Sequence, residues 1–310
     1  MANFIEATQK ININEAIEQA KYNLVGFIAG EEERFKKQID NATNYIINKK
    51  SNLVFLTGPS SSGKTTTSIF LERELEKQGF NTERISLDNF YKSRAELPLW
   101  PDGSQNFESI AGLDLDFFEE RVNSLIKDGY AKMPRFDFAV GERRPDKFFE
   151  VNYDADTIII FEGIHALNPE LYERIDDENA TKLYVSVHSD YVDDENKRYI
   201  KASDVRLCRR LIRDHLHRGT QPEFTLSLWN KVCRGEKEYI RPYRTNSDIA
   251  INSMHAYEIF VYRDYMLDYY KQIESKPLIQ GLMEKLEKLP SLYEKVIPKE
   301  SLLREFVAYS

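Results

Sequence analysis

Eight consecutive residues of this chain have the types and spacing that bind a phosphate chain: Gly58-Pro-Ser-Ser-Ser-Gly63-Lys64-Thr65, which match the pattern G-x-x-x-x-G-K-[ST]. Glycines let such a loop curl until successive backbone N–H groups point at one anion, and the helix that follows adds the partial positive charge of its N-terminus. In this pattern the lysine reaches the β- and γ-phosphates of a nucleotide, while the Thr65 hydroxyl is a ligand for Mg²⁺. The residues predicted to bind the nucleotide cofactor are Gly58, Ser60, Ser61, Ser62, Gly63, Lys64, Thr65 and Thr66.

Two carboxylates follow short apolar segments of the kind that form buried strands. Asp88 comes directly after Glu83–Leu87, and Glu162 comes directly after Thr157–Phe161. Open parallel sheets bind their ligands outside the carboxyl ends of the strands. A phosphoryl transferase needs one carboxylate to accept or orient the proton of the acceptor hydroxyl, and a second to hold Mg²⁺. A turn-forming Asp-Asn pair is an equally good interpretation of Asp88 from position alone, whereas a functional role is favoured for Glu162.

Residues 203–218, SDVRLCRRLIRDHLHR, predict a helix with one apolar face and one basic face. Guanidinium groups bind phosphate oxygens in pairs and neutralise charge on a transferring phosphoryl group. A solvated basic face is the alternative. Because the chain as a whole is acidic, we favour arginines that close over the phosphates, with residues 191–220 acting as a lid that excludes water. The arginines of this face are Arg206, Arg209, Arg210 and Arg213, with Arg218 just beyond.

Alternating strands and helices must position these groups. The five strand candidates are Leu53–Thr57, Glu83–Leu87, Thr157–Phe161, Lys182–Val187 and Asp248–Ile251. Strands that alternate with helices predict an α/β fold of the P-loop NTPase type, with a parallel sheet covered by helices on both faces. We therefore divide the chain into a helical N-terminal extension (1–50), a P-loop domain (51–275) and a helical C-terminal tail (276–310). The tail either braces the sheet or forms a subunit interface.

The N-terminal extension has one apolar stripe at helical spacing, formed by Phe35, Ile39, Ala42 and Ile46. That stripe predicts a helix that packs on the body of the protein. Near the other end of the chain, Ser301 is expected to cap a last short helix that includes Leu302, Leu303 and Phe306.

The composition excludes several classes of protein. The 310 residues carry a net charge of -8, which argues against sequence-independent binding to nucleic acid or to an anionic membrane. No apolar run approaches the ~18 residues that cross a bilayer, and the N-terminus lacks the layout of a signal peptide. A reduced cytoplasm is the expected location. A GTPase switch is disfavoured too, because cysteine replaces the aspartate of its base-reading motif in Asn230-Lys-Val-Cys233.

The order and spacing of these and further motifs resemble the uridine kinase branch of the phosphoribulokinase/uridine kinase family. The resemblance spans roughly residues 50–255, and the tail at 297–306 resembles the C-terminus of the kinase half of longer bacterial nucleoside-kinase-like proteins. The motifs are GPSSSGKTT (58–66), SLDNFYK (86–92), NFES (106–109), PRFDF (134–138), IIIFEGIHAL (158–167), RLCRRLIRD (206–214), RG (218–219) and DIAIN (248–252).

The resemblance implies a role for each matching residue. Asp88 would be the general base on a nucleoside 5′-hydroxyl, assisted by Lys64 and Arg213 as catalytic residues. Arg210 would bind the ATP phosphates, and Thr65 and Glu162 would hold Mg²⁺. The implied substrate-binding residues are Tyr91, Phe107, Glu108, Phe136, Asp137 and Arg218.

Three departures from the family pattern concern the substrate. Gly141 stands where uridine kinases carry a histidine that reads the pyrimidine edge, Thr220 replaces a second arginine, and a glutamine expected near Ser227 is missing. Loss of base-reading hydrogen bonds should lower discrimination steeply.

The prediction is an ATP- and Mg²⁺-dependent kinase of a small molecule, with a nucleoside such as uridine or cytidine as the favoured acceptor. A kinase of another hydroxylated metabolite, similar to phosphoribulokinase or pantothenate kinase, stays open, as does a nucleotide-binding regulator without turnover. The choice between ATP and GTP, and between monomer and homo-oligomer, is left open as well.

Overall fold

A computed structural model describes residues 9–175, 179–273 and 277–308 of the chain. The strands are β1 (Gln9–Asn12), β2 (Leu53–Thr57), β3 (Asn81–Ser86), β4 (Tyr130–Asp137), β5 (Glu142–Asn152), β6 (Thr157–Glu162), β7 (Thr181–Ser186), β8 (Ser189–Val192), β9 (Arg198–Ile200) and β10 (Ile249–Asn252). The α-helices are α1 (Ile13–Tyr22), α2 (Leu24–Lys49), α3 (Lys64–Lys77), α4 (Leu115–Asp128), α5 (Pro169–Tyr172), α6 (Ala202–Arg218), α7 (Pro222–Gly235), α8 (Glu258–Gln272) and α9 (Gln280–Leu286).

A five-stranded parallel sheet with the order β10-β7-β2-β6-β3 organises the molecule. Its two central strands β2 and β6 are apolar and almost entirely buried, as expected of strands covered on both faces. The register places Leu56 and Ser86 on either side of Glu162. The ends of β2, β6 and β3 therefore meet at one edge, which is where the phosphate-binding loop and both predicted carboxylates begin.

Each face of the sheet is covered by a separate apolar core. One core joins the sheet to α2, α3, α6 and α8 and includes Phe35, Ile46 and Phe306. The other joins it to α4 and to the antiparallel hairpin of β4 and β5, through residues such as Phe118 and Met133. The α/β prediction, with helices on both faces of a parallel sheet, is confirmed.

Individual elements agree with the sequence to within a residue or two. All five predicted strands form, and the α2 stripe is buried, with Phe35 at 3% and Ile46 at 0% exposure. Ser301 caps a short 3₁₀ helix, Leu302–Glu305, by accepting a hydrogen bond from Leu303 N.

The N-terminal extension is not helical throughout, contrary to the prediction. Its strand β1 pairs in parallel with β8, and β8 pairs with β9, to form a small second sheet. That sheet and the β4–β5 hairpin were not predicted, because their pairing partners are set by packing rather than by a strong local pattern. The division of the chain at residues 50 and 275 stays a prediction, although both additions contribute to the core around α3. Within the described ranges, no helix is long and apolar enough to cross a membrane.

If the N-terminal extension is part of the folding unit, then Phe35→Ala should lower the free energy of unfolding by about 3–5 kcal/mol. Phe35 packs against the ring of Phe70, with 5.9 Å between centroids, and against His255 at 5.4 Å. Urea denaturation measures the effect, and Tyr22→Ala is the control because that side chain is 85% exposed. An unchanged denaturation midpoint for Phe35→Ala would show that the extension folds independently.

Candidate active site

The phosphate-binding loop curls between the end of β2 and the start of α3. Ser61 and Gly63 have φ angles of 60° and 86°, in the left-handed region that allows such a curl. Thr57 at the end of β2 donates a hydrogen bond to the carbonyl of Gly163, at 2.8 Å, which ties the loop to the end of β6. Lys64 is the first residue of α3. The local geometry therefore has the backbone conformation and the lysine that a bound phosphate chain requires.

A cleft of about 320 Å³ opens in front of this loop. It is bounded by the loop, by Asp88 and Glu162, and by the aromatic side chains of Tyr91, Phe107 and Phe136. The predicted site residues that line it are Ser60, Ser61, Gly63, Lys64, Thr65, Asp88, Tyr91, Phe107, Glu108, Phe136, Glu162, Arg213 and Arg218. The remaining ones, Gly58, Ser62, Thr66, Asp137 and Arg210, do not line it.

Burial raises the pKa of three acidic groups of the cleft. Removal from water raises the pKa of Glu162 to about 7 and that of Glu108 to about 7. Burial also raises the pKa of Asp88, although the positive charge of Lys64 acts in the opposite direction. Burial lowers the pKa of Lys64 itself, and the charges of Glu162 and Asp88 oppose that change. These four groups form one coupled electrostatic system, and any added cation or anion will shift all of them.

The donor atoms near the loop suit a magnesium ion. Thr65 supplies a hydroxyl oxygen and Glu162 supplies carboxylate oxygens, which are the ligands that Mg²⁺ prefers. In the described part of the chain, no group of three or more His, Cys, Asp and Glu side chains is arranged to hold a metal by itself. That agrees with the usual binding of Mg²⁺ through one or two carboxylates together with substrate phosphates.

Two of the four arginines on the basic face of α6 form buried ion pairs that stabilise the fold. Arg209 is fully buried and pairs with Glu258 through two hydrogen bonds of 2.7 and 2.9 Å. Arg206 is 4% exposed, pairs with Glu236 at 2.6 Å and donates to the carbonyl of Ser60 at 3.0 Å. The expectation that the whole face closes over phosphates is therefore wrong for these two, because their guanidinium groups are already paired with carboxylates of other helices.

The other arginines of this helix converge on Asp214, a buried carboxylate that the sequence analysis did not single out. Arg213 donates to Asp214 at 2.7 Å, Arg218 approaches it at 3.4 Å, and Arg210 approaches it at 3.5 Å while donating to Ser60 Oγ at 2.7 Å. One carboxylate thus orients three guanidinium groups toward the loop. The sequence spacing could have revealed this role, because Asp214 lies four residues from Arg210 and four from Arg218 on the same helix.

Packing fixes most of the segment that was expected to act as a lid. Residues of α6 from Val205 to Ile212 are largely in the core, and the buried Arg209–Glu258 pair fastens them to α8. Arg218 is 59% exposed at the end of the helix. Burial therefore argues against movement of residues 191–220 as one lid, and only the end of α6 is exposed.

Aromatic side chains form one wall of the cleft. The Tyr91 hydroxyl donates to the carbonyl of Phe107 at 2.7 Å, and the rings of Tyr91 and Phe136 lie 6.3 Å apart. Asp137 is turned into the hairpin loop, where it accepts from Ala139 N at 3.1 Å. The wall is thus well suited to a flat or apolar part of a substrate, while Asp137 serves the turn in this conformation.

Gly141, where the family pattern has a histidine, lies at the tip of this hairpin. Its φ of +85° strains any other residue, and an added Cβ would lie 2.9 Å from Nε of Arg94. The carbonyl of Gly141 accepts a hydrogen bond from Arg94 N at 2.8 Å, and Arg94 also lines the cleft. Arg94 therefore occupies the space that a side chain at position 141 would need, and it is a site residue that the sequence analysis missed.

Glu305, from the C-terminal tail, is a second missed residue. It lines the cleft and accepts hydrogen bonds from the backbone N–H and the hydroxyl of Thr66, at 3.2 and 2.6 Å. It lies 239 residues from its partner in sequence, so that no local pattern predicts the contact.

Comparisons with known proteins agree with this geometry. The sequence profile described as "Phosphoribulokinase / Uridine kinase family" matches residues 53–259. The uridine kinase of Bacillus licheniformis is 26% identical over 204 residues, which is 66% of this chain and 86% of that protein. The uridine kinase of Halobacterium salinarum is 25% identical over 198 residues, or 63% and 77% of the two chains. The solved structure of a candidate fructose transport system kinase from Silicibacter sp. TM1040 has a TM-score of 0.51 at 19% identity, and the match covers 68% of this chain and 98% of that one.

The fold and the site therefore define a P-loop kinase. The chain belongs to the phosphoribulokinase/uridine kinase family, whose members are small-molecule phosphotransferases that bind ATP. Its first 52 residues and those after 259, including Glu305, lie outside the match to the family.

The raised pKa of Glu108 predicts that binding of the phosphoryl acceptor depends on pH. Below a pKa of about 7 this carboxyl is protonated and has lost its charge, so it is a poorer acceptor of substrate hydrogen bonds. The KM for the acceptor should rise about tenfold between pH 8 and pH 6, and Glu108→Gln should remove that dependence. Steady-state kinetics over this range measures both. A wild-type KM that does not change with pH would contradict a role of ionised Glu108 in acceptor binding.

Proposed function

We propose that this protein transfers the γ-phosphoryl group of ATP to the 5′-hydroxyl of a nucleoside, of the uridine or cytidine kind. The observation that carries the proposal is the convergence of Lys64, Asp88 and Glu162 on one cleft that Tyr91, Phe107 and Phe136 also line. The similarity to uridine kinases supports the nucleoside, at the level of 25–26% identity.

Asp88 is the proposed general base. It lines the cleft, where the charge of Lys64 acts on it and its own charge acts on Tyr91. Because burial raises its pKa, its carboxylate is a stronger base than an exposed aspartate and is better matched to a hydroxyl proton near neutral pH. In the reaction the proton passes from the 5′-hydroxyl to Asp88, a bond forms between O5′ and the γ-phosphorus, and the bond from that phosphorus to ADP breaks.

Charge on the transferring group is neutralised by cations that the structure has already oriented. Lys64 lies at the start of α3, and Arg213 and Arg218 enter the cleft from α6, held by Asp214. Thr65 and Glu162 would hold Mg²⁺, which when bound neutralises charge on the donor phosphates. Because Asp214 orients Arg213 and Arg218 before substrate binds, less reorganisation accompanies the reaction.

The acceptor lies between the aromatic wall and Glu108. Tyr91, Phe107 and Phe136 offer faces to a base or sugar, and Glu108 offers hydrogen-bond acceptors to sugar hydroxyls. Arg94, which occupies the place of the missing histidine, supplies hydrogen-bond donors only. A base that presents carbonyl oxygens to this side, such as uracil, suits a guanidinium group.

A kinase of a different hydroxylated metabolite is the second candidate, and one observation favours it. Arg94, Arg213 and Arg218 all line the acceptor cleft, and such a set would also suit an acceptor that carries a phosphate or carboxylate. Tests of neutral nucleosides against acceptors that carry a phosphate or carboxylate separate the two candidates.

Asp88→Asn should lower kcat by a factor of roughly 10²–10⁴, because the amide cannot accept the hydroxyl proton. Binding of Mg·ATP should change little, since Asp88 does not belong to the loop. Product formation is measured with ATP and Mg²⁺ against uridine, cytidine, other nucleosides, ribulose 5-phosphate and pantothenate.

Phosphorylation of a nucleoside that disappears in the Asp88→Asn variant would support the proposal. Phosphorylation of only a charged acceptor would favour the second candidate. If wild type binds ATP but phosphorylates no acceptor, the nucleoside proposal is wrong and a regulator without turnover gains support.

A further inference from the structure

The C-terminal tail packs directly on the phosphate-binding loop. Leu302 approaches Gly63 so closely that a Cβ added there would lie 2.8 Å from the leucine Cδ1. Three residues later, Glu305 reaches the first turn of α3 and accepts hydrogen bonds from Thr66 N at 3.2 Å and Thr66 Oγ1 at 2.6 Å. The tail therefore contributes a carboxylate to the wall of the cleft, from a segment outside the match to the family.

An anion from solution would compete with Glu305 for the hydrogen-bond donors of Thr66. The first N–H groups of a helix have no partner within the helix, and in a phosphate-binding loop they bind the phosphates of the donor. Thr66 is the third residue of α3, so its N–H belongs to this set. A carboxylate of the same chain thus occupies a hydrogen-bond donor that the proposed ATP substrate would use.

An ordered element, rather than a loose chain end, delivers this carboxylate. Leu302, Leu303, Phe306 and Val307 are each 0% exposed. Arg304 donates to the carbonyls of Ala308 at 2.8 Å and Ile297 at 2.5 Å, which closes the tail on itself. Since the backbone on both sides of Glu305 is anchored, its side chain can turn but its Cα is fixed near α3.

The same tail is connected to α6. The guanidinium of Arg209 lies 4.8 Å from the centroid of the Phe306 ring, and Arg209 also approaches the carbonyl of Ser61 at 3.5 Å. Loop, α6 and tail therefore form one packed unit around the place where donor phosphates bind.

We propose that Glu305 sets the affinity of the donor site, by holding Thr66 with a negative charge that a donor phosphate must displace. The inference rests on the proposed function only in that the loop is the donor site. When a phosphate chain binds to the loop, the Glu305 carboxylate must turn away from Thr66 and yet stay close to an anion of like charge. A loop without Glu305 therefore binds phosphate chains more tightly. The tail thereby keeps the site in a low-affinity state and favours release of ADP.

The test compares wild type with Glu305→Gln, Glu305→Ala and the control Glu300→Gln. Glutamine removes the charge but keeps an oxygen that can accept from Thr66, whereas alanine removes both. Glu300 is an exposed glutamate of the same tail that does not line the cleft, so its substitution makes the same change in net charge elsewhere. Calorimetric titration with tripolyphosphate, and separately with Mg·ATP, gives the affinities at fixed ionic strength, and thermal melts show that each variant is folded.

We expect Glu305→Gln to bind tripolyphosphate about tenfold more tightly than wild type, and Glu305→Ala to bind at least as tightly as Glu305→Gln. Glu300→Gln should bind like wild type. If both Glu305 variants are folded and bind tripolyphosphate no more tightly than wild type, the proposal is wrong, and weaker binding would instead make Glu305 a supporting group of the site.

This readout is independent of catalysis. Tighter binding of tripolyphosphate by the Glu305 variants, without phosphorylation of any acceptor by wild type, would support the role of Glu305 while the kinase proposal fails. Nucleoside phosphorylation by wild type, with unchanged affinities in the variants, would give the opposite result.

Discussion

The buried positive charge of Lys64 is the interaction on which the rest of the cleft depends. Burial disfavours that charge, while Glu162, Asp88 and Glu305 each favour it, in that order. The same lysine counteracts the rise in pKa that burial imposes on Asp88 and Glu162. The cleft thus gathers Asp88, Glu162 and Glu305 around Lys64, and Arg213 and Arg218 line it as well. Bound phosphates would bring further negative charge next to these acids, and a divalent cation would offset it.

The fold satisfies this constraint by placing three strand ends at one edge of the sheet. The register of β2, β6 and β3 sets Glu162 between Leu56 and Ser86, so that the loop and both acids begin within neighbouring strands. Asp214 holds Arg213 and Arg218 in a second charge cluster on α6. This cluster lines the same cleft, and the charge of Arg218 also acts on Asp88.

The sequence predicted those features that depend on residues close together in the chain. The loop, the five strands of the main sheet and the α2 stripe all have local patterns, and so do Asp88 and Glu162 at the ends of strands. Arg209 shows where this approach fails, since helical periodicity cannot reveal that its partner is Glu258, 49 residues further along the chain. Arg94 and Glu305 were missed for the same reason, because their contacts with Gly141 and Thr66 are created only when distant segments pack. The substrate assignments of Glu108 and Asp137 came from family resemblance and remain predictions, although Glu108 lines the cleft and Asp137 faces the hairpin turn.

The central claim, that Lys64 and its loop form the donor phosphate site, is tested most directly by calorimetric titration of Mg·ATP into wild type and Lys64→Ala. A hydrogen bond between charged groups contributes about 1.5–3 kcal/mol, so the variant should bind Mg·ATP roughly tenfold to hundredfold more weakly, while its thermal melt shows that it is folded. Equal affinities of the two proteins for Mg·ATP would contradict the account, because the nucleotide would then bind elsewhere.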